Sequence, residues 1–382
     1  MKPIKAQPKI TLVGHPFSPH GTGRALRLSL AACESAGIEV RVRDVWKQNP
    51  PEPSHQAITP LLTDTYGDIN LFHVNGDEVI RTLDHLGPAN GHFNVIFPFW
   101  ELPRYPDIWA RQLEKFDEVW AASNYIKDML GRSVNRPIKH MPLATEIDLA
   151  SFYDRKYFGI PENSYTFLFF FDCRSFIARK NPQAAVAAFR QLIAARPWVT
   201  THLVIKMHGA EAARSEAQAL FESVADLRER ILILPERMQE CEVHNLIRCC
   251  DSFVSLHRAE GYGLGLAEAM FLGLPSIGTG YSGNMDFMTS VNSVPVGFSL
   301  IDVPPEAYPH WEHQEWAEPN IAEAASRMID LLDNPKKGRE LGSNASRDMR
   351  VNFSYRATGQ RYRARLEEIQ SAHAYVPISL EC

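Results

Sequence analysis

The stretch HRAEGYGLGLAEAMFLGLPSIGTGYSGN, residues 257–284, decides how this chain is built. It begins where an apolar, β-branched run, SFVSLH (252–257), ends. It then passes through Gly261 and Gly263 into a helix-period segment closed by Gly273 and Pro275. Strand, glycine-rich turn, helix and next strand form the repeating unit of parallel sheets covered by helices. Unpaired amides at a helix N-terminus make an anion site, so a phosphate is expected over Gly263 and Leu264. Two carboxylates bracket that position, Glu260 in the loop and Glu268 in the helix.

Helix rise separates the two glutamates by roughly 10 Å, more than two carboxylates sharing one glycosidic bond require. They suit a long ligand with hydroxyls at both ends and a diphosphate in the middle. A nucleotide sugar has that layout, with Glu268 on the ribose and Glu260 on the hexose.

Outward from this stretch, the same alternation fills the chain. Strands are expected at 9–14, 38–45, 69–74, 93–99, 118–123 and 138–143, and again at 165–172, 202–209, 231–236, 252–257, 275–280 and 293–298. Polar residues with Gly159 and Pro161 interrupt the pattern near 145–163 and mark a linker. The expected fold class is therefore α/β, with two Rossmann-like domains. Residues 1–150 form the first, 151–350 the second, and 351–382 a helical C-terminal segment that packs back on the first. In such sheets ligands bind beyond the carboxyl ends of the strands.

Composition narrows the function classes. A hydrophobic fraction of 45% with 22% charged residues fits a globular enzyme, and a net charge of -5 disfavours a nucleic-acid partner. The apolar run TFLFFF (166–171) is far too short to span a bilayer, and the N-terminus lacks the apolar core of a secretion signal, so a cytoplasmic location is expected. Cys33, Cys173, Cys241, Cys249, Cys250 and Cys382 show no C-x-x-C spacing and read as reduced thiols. Asp77 and Glu78 belong to no Asp-x-Asp or His/Cys cluster, so no metal is expected, and they read as the start of a helix.

FDCRSFIARKNPQAAVAAFRQL (171–192) places Arg174, Arg179 and Lys180 after a strand, then Asn181 as an N-cap and Pro182 at the first helical position. Cations in that place converge on an anion such as a diphosphate, although a solvated basic loop has the same composition.

With RSFIARKNP upstream, EGYGLGLAEAMFLGLPSIGTGYSGNMDF resembles the retaining glycosyltransferases of family 4, which have the GT-B fold of two Rossmann-like domains facing each other across a cleft. PFWELPRYPDIWARQLEKFDEVWAASNYIKDML is similar to the same family. The resemblance implies a nucleotide-sugar donor (GDP-mannose or a UDP-hexose), a glycan or lipid-linked acceptor, retained anomeric configuration, and neither cofactor nor metal. It gives Arg174 and Lys180 the donor diphosphate, Glu260 the sugar, Glu268 the ribose, and Gly261, Tyr262, Gly263 and Leu264 the distal phosphate. Arg237 and Met238, after Pro235 and Glu236, fall where the family's base-binding loop lies. GHPFSPHGTGRALR (14–27) resembles the family's glycine-rich loop, with Gly21, Thr22 and Gly23 before a helix. Bacterial glycan assembly and peripheral contact with the inner membrane face are further implications; the oligomeric state is left open.

One departure stands out. Many members have a histidine after the fourth strand, where this chain reads IFPFWELP. Trp100 is a candidate for stacking on a pyranose and Glu101 for bonding a sugar or acceptor hydroxyl, with a buried aromatic and a helix-leading carboxylate as the plainer alternatives. His20, with His15 and His73, is an alternative cleft histidine. Competing functions are a GT-B phosphorylase or sugar-nucleotide epimerase, or a catalytically silent nucleotide-sugar-binding partner in glycan assembly.

Overall fold

The computed structural model describes residues 8–48, 50, 53–149 and 151–373, so Cys382 and the end of the C-terminal segment lie outside the described residues. The chain forms two compact units. The first takes in Trp100 and the described residues before it, Arg104–Ala144, and the described residues from Asn352 on. The second comprises Glu101–Pro103 and Thr145–Val351.

In the first unit six parallel strands, β1 (Ile10–Gly14), β2 (Val40–Asp44), β3 (Ile69–Phe72), β4 (Phe93–Ile96), β5 (Glu118–Ala121) and β6 (Ile138–His140), lie in the order β2-β1-β3-β4-β5-β6. The second unit repeats the architecture with β7 (Tyr165–Asp172), β8 (Thr201–His208), β9 (Ile231–Leu234), β10 (Ser252–Ser255), β11 (Ser276–Thr279) and β12 (Val294–Val296). Their order is β12-β11-β10-β7-β8-β9, again all parallel. Every residue of β1, β3, β5, β10 and β11 is buried. Helices cover both faces of such a sheet, which is why its strands read as unbroken apolar runs. The second unit's core joins Phe167, Phe169 and Phe171 of β7 to Phe189, Leu192, Met328 and Leu331.

Strand order fixes where a ligand can bind. The order in which successive strands are added reverses between β7 and β10, leaving a crevice beyond their carboxyl ends. The loop carrying Arg174, Arg179 and Lys180 leaves β7, and the loop carrying Glu260 leaves β10.

A two-stranded antiparallel ribbon, β13 (Phe298–Asp302) with β14 (Glu315–Pro319), was not anticipated. β13 is mostly exposed, so its sequence lacks the apolar run that marks the other strands. Residues 151–164 contain no strand or long helix but are fastened to the second unit. Arg155 pairs with Asp251 at 2.7 Å, and Asn245 bonds both Tyr153 N (3.0 Å) and Ser151 O (2.8 Å).

The helix Tyr355–His373 lies against the helix Gly21–Ser35 of the first unit. Tyr362 meets Ser29 (O–O 3.1 Å) and Trp120 (ring centroids 4.8 Å). Arg365 forks onto Glu118, a carboxylate only 1% exposed, whose Oε1 also accepts from Trp120 Nε1 at 2.8 Å. Among the described residues no helix is long and apolar enough to cross a membrane.

Candidate active site

Two loops of the second unit meet at the crevice. The loop after β7 turns sharply through Phe176 (φ 62°) and Asn181 (φ 54°), left-handed conformations that cost side-chain-bearing residues energy. Asn181 takes the N-cap position before Pro182 as expected, but its side chain makes no capping bond. Arg258 N donates to Arg179 O (2.8 Å) and Arg258 Nη1 to Ala178 O (2.6 Å), stitching the β10 loop to the β7 loop.

Beyond Glu260, the β10 loop is braced by the loop after β11. Glu260 N donates to Ser282 Oγ (2.8 Å) and Gly283 N to Glu260 O (2.8 Å). The backbones touch there: a Cβ at Gly283 would lie 2.0 Å from Gly261 O, so only glycine fits. Gly263 (φ 95°) then opens the helix Leu264–Phe271, whose first-turn amides have no intrahelical acceptor. Within that helix Gly265 is held to glycine by packing, since a Cβ would sit 2.8 Å from the Phe170 ring.

His257, wholly buried, supports this turn. Asn284 Nδ2 donates to Thr279 O (2.9 Å), which leaves its Oδ1 to accept from His257 Nε2 (3.0 Å), while Ser255 Oγ and His257 Nδ1 share a hydrogen bond (3.1 Å). Nε2 thus carries a proton toward Asn284, and burial lowers the His257 pKa against the pull of Glu260.

The charged centre is tighter than expected. Lys180 Nζ lies 2.5 Å from Glu260 Oε1, and Arg179 Nη1 lies 3.4 Å from Glu260 Oε2. Arg179 also donates to Ala259 O (2.7 Å) and reaches Glu101 Oε1 at 3.6 Å, with the Tyr308 ring 5.9 Å away. Tyr308 in turn donates to Glu101 Oε2 and packs on Phe176. Burial pushes the Glu260 pKa up, but Lys180, then Arg179 and His257, outweigh it and hold the carboxyl at about 2. Burial and the neighbouring Arg179 lower the Lys180 pKa against the pull of Glu260. Burial also opposes the Arg179 charge, which Glu101 and Glu260 restore and raise.

The other residues singled out from the sequence are distributed as follows. Arg174 pairs with Glu211 (2.9 Å), so it and Lys180 are held by different carboxylates. Gly261, Tyr262 and Gly263 are buried in the β10 loop, Tyr262 against Phe287, and Leu264 begins the helix. Glu268 is buried within that helix. Arg237 and Met238 follow β9, the edge strand, two strands from β7. Glu101 belongs to the second unit and meets Arg179, whereas Trp100 belongs to the first. Trp100 is 4% exposed, edge-on to Tyr105 and Trp109, with its indole N–H on Arg104 O.

In the first unit, Gly21, Thr22 and Gly23 form the first turn of the helix Gly21–Ser35 rather than a loop before it. Gly23 is required there, since a Cβ would come 2.6 Å from both His15 O and Ser18 O. His20 is the exposed N-cap and makes no side-chain capping bond. His15 sits 3.4 Å from Glu78, which stands at the start of the helix Val79–Leu86 without a side-chain capping bond. His73 is fully buried. Among the described residues no group of three or more His, Cys, Asp or Glu is placed to hold a metal ion.

Two features went unseen in the sequence. Spacing does not separate Arg179 from its basic neighbours, and no motif marks Tyr308. Lys206 of β8 is a third buried group beside this region, 4% exposed, with its ammonium on Met207 O (2.7 Å); a lysine inside an apolar strand run was its only signal.

Residues 167–334 match the family model described as "Glycosyl transferases group 1". No curated protein sequence matches the chain. Among solved structures, HepE of Anabaena in complex with UDP and glucose is similar at 14% identity and a TM-score of 0.69, over 95% of this chain and 100% of that one. Sucrose-phosphate synthase of Thermosynechococcus elongatus gives 16% and 0.71 over 96% and 100%. A glycosyltransferase of Rickettsia africae gives 12% and 0.68 over 95% and 99%. The α/β architecture is thus the GT-B fold.

Proposed function

Residues 167–334 match the family model for glycosyl transferases group 1, and from that premise we propose that the chain moves a hexose from a uridine-diphosphate sugar to a hydroxyl of a glycan or lipid-linked acceptor, with retention and without a metal. One observation carries this reading: Lys180 and Arg179 from the β7 loop converge on Glu260 from the β10 loop at the sheet's switch point, beside the amino end of the helix Leu264–Phe271. A uridine donor is favoured because HepE, of similar fold, was solved with UDP and glucose and with UDP-glucose.

The sugar C1–oxygen bond to the diphosphate breaks and its electron pair leaves with UDP. Lys180, Arg174 and the amides from Gly263 onward stabilise the charge that develops on the leaving group. The acceptor oxygen bonds C1 from the same face, and its proton passes to the departing phosphate oxygen. Glu260 holds sugar hydroxyls and Glu268 the ribose, so no enzyme nucleophile is needed.

Calorimetric titration with UDP-, GDP-, ADP- and dTDP-sugars in EDTA tests the donor and the metal independence together. Binding of UDP-glucose or another UDP-hexose is expected. Binding of a different nucleotide sugar alone corrects the base, and binding of none overturns the reading. Proton NMR of the product anomer, once an acceptor is found, tests retention.

A further inference from the structure

Arg179 and Lys180 are neighbours in sequence but hold Glu260 in different ways. The Arg179 side chain is 3% exposed and anchored at several points: Ala259 O, Glu260 Oε2, Glu101 Oε1 and the Tyr308 ring. Its backbone oxygen is also tied to Arg258 N. Lys180 is 17% exposed, and among the described residues its ammonium makes one ion pair, to Glu260 Oε1. Each oxygen of the Glu260 carboxylate therefore faces its own cation, one fixed and one on a flexible four-carbon stem.

The side chains of Arg179, Lys180, Glu260 and Glu101 neutralise one another. A cation already paired with a carboxylate binds a phosphate only by leaving that carboxylate, and a buried carboxylate left with no counter-charge is costly. Glu101 adds a second negative charge near the same guanidinium, which holds Arg179 back from following Lys180 toward the ligand.

Building on the nucleotide-sugar reading above, we propose that Arg179 is a positioning residue for Glu260: it supplies the permanent counter-charge that lets Lys180 exchange from Glu260 to the donor diphosphate. Arg179 itself touches no phosphate. Its removal leaves Lys180 as the one cation paired with Glu260 among the described residues, and the ammonium is then held where the diphosphate cannot recruit it.

The test is a double-variant cycle read by calorimetry with UDP as the probe, on wild type, R179M, E260Q and R179M/E260Q. R179M is expected to weaken UDP binding about tenfold, and E260Q to leave it equal or tighter. R179M/E260Q is expected to recover most of the loss, because the carboxylate that captures Lys180 is gone. A double variant binding as weakly as R179M would show a collapsed loop and overturn the proposal, as would wild-type binding by R179M. Should R179M not fold, R179K, which keeps the charge but loses the fork, is expected to show the same pattern with smaller amplitude. Absence of UDP binding in folded wild type would overturn the donor reading instead.

Discussion

Gly359 of the C-terminal helix and Ala32 of the first helix approach so closely that a Cβ on Gly359 would lie 2.1 Å from the Ala32 carbonyl oxygen. Backbone has no rotamer with which to escape such a contact, so the helices must part. G359A is expected to cost about 1–3 kcal/mol of stability, as overpacking does, read as a lowered midpoint of urea unfolding. An unchanged midpoint would mean that the two helices slide apart freely.

The same docking places Arg365 on buried Glu118. R365M strands that carboxylate and is expected to destabilise by about 3 kcal/mol, whereas R365M/E118Q, which removes the charge, should regain a substantial part of it. Equal losses in the single and double variants would show that the arginine acts through packing of its stem alone.

His73, buried at the end of β3, has both ring nitrogens without a hydrogen-bond partner among the described residues, and burial lowers its pKa to about 3. A histidine whose folded pKa is depressed stabilises the fold while neutral. Its contribution is complete above the unfolded value and fades as pH falls from about 6.5 toward 3, by about 1.4 kcal/mol per pH unit. Urea midpoints between pH 7 and pH 4 should therefore fall less steeply in H73F than in wild type. Part of the slope will remain, because buried His257 is also lowered. The depressed Glu260 works in a lower window, its contribution intact above the usual carboxylate range and lost as pH falls toward about 2.

Lys180 and Arg174 are expected to matter to turnover more than to folding. K180A and R174A should each lower kcat at least tenfold with a UDP-hexose donor, about 1.4 kcal/mol of transition-state stabilisation or more. Arg174 already shares Glu211, and Gly209 leaves it room: a Cβ there would meet Arg174 Nε at 2.8 Å. Wild-type rates in R174A would assign that arginine to the loop's architecture.

How much of this was legible in the sequence depended on what each residue's neighbours had to be. The central parallel strands could be read because burial on two faces forces apolar runs such as those around Leu71 and Val254, and the edge strands because they continue the same alternation with helices. The ribbon Phe298–Asp302 with Glu315–Pro319 could not, because an exposed strand is free to be polar. At the site, Glu260 was visible from its glycine setting. Which of three nearby cations would meet it was not, since the answer lies in the turns at Phe176 and Asn181 rather than in spacing. Tyr308 and Glu101 reach Arg179 from distant parts of the chain, and no local pattern announces such a meeting.

The return of Tyr355–His373 to the first unit also sets the order in which the protein can be finished during synthesis. Strands β1 to β6 leave the ribosome early, yet the partner of Glu118 and the cover for Trp120 are made only after all of Thr145–Val351. At ordinary elongation rates that interval lasts on the order of ten seconds or more. The second unit, contiguous but for Glu101–Pro103, which are already made, can close first, while the nascent first unit waits with a buried-to-be carboxylate and an aromatic face uncovered. The earliest-made half of this chain is the last to be completed.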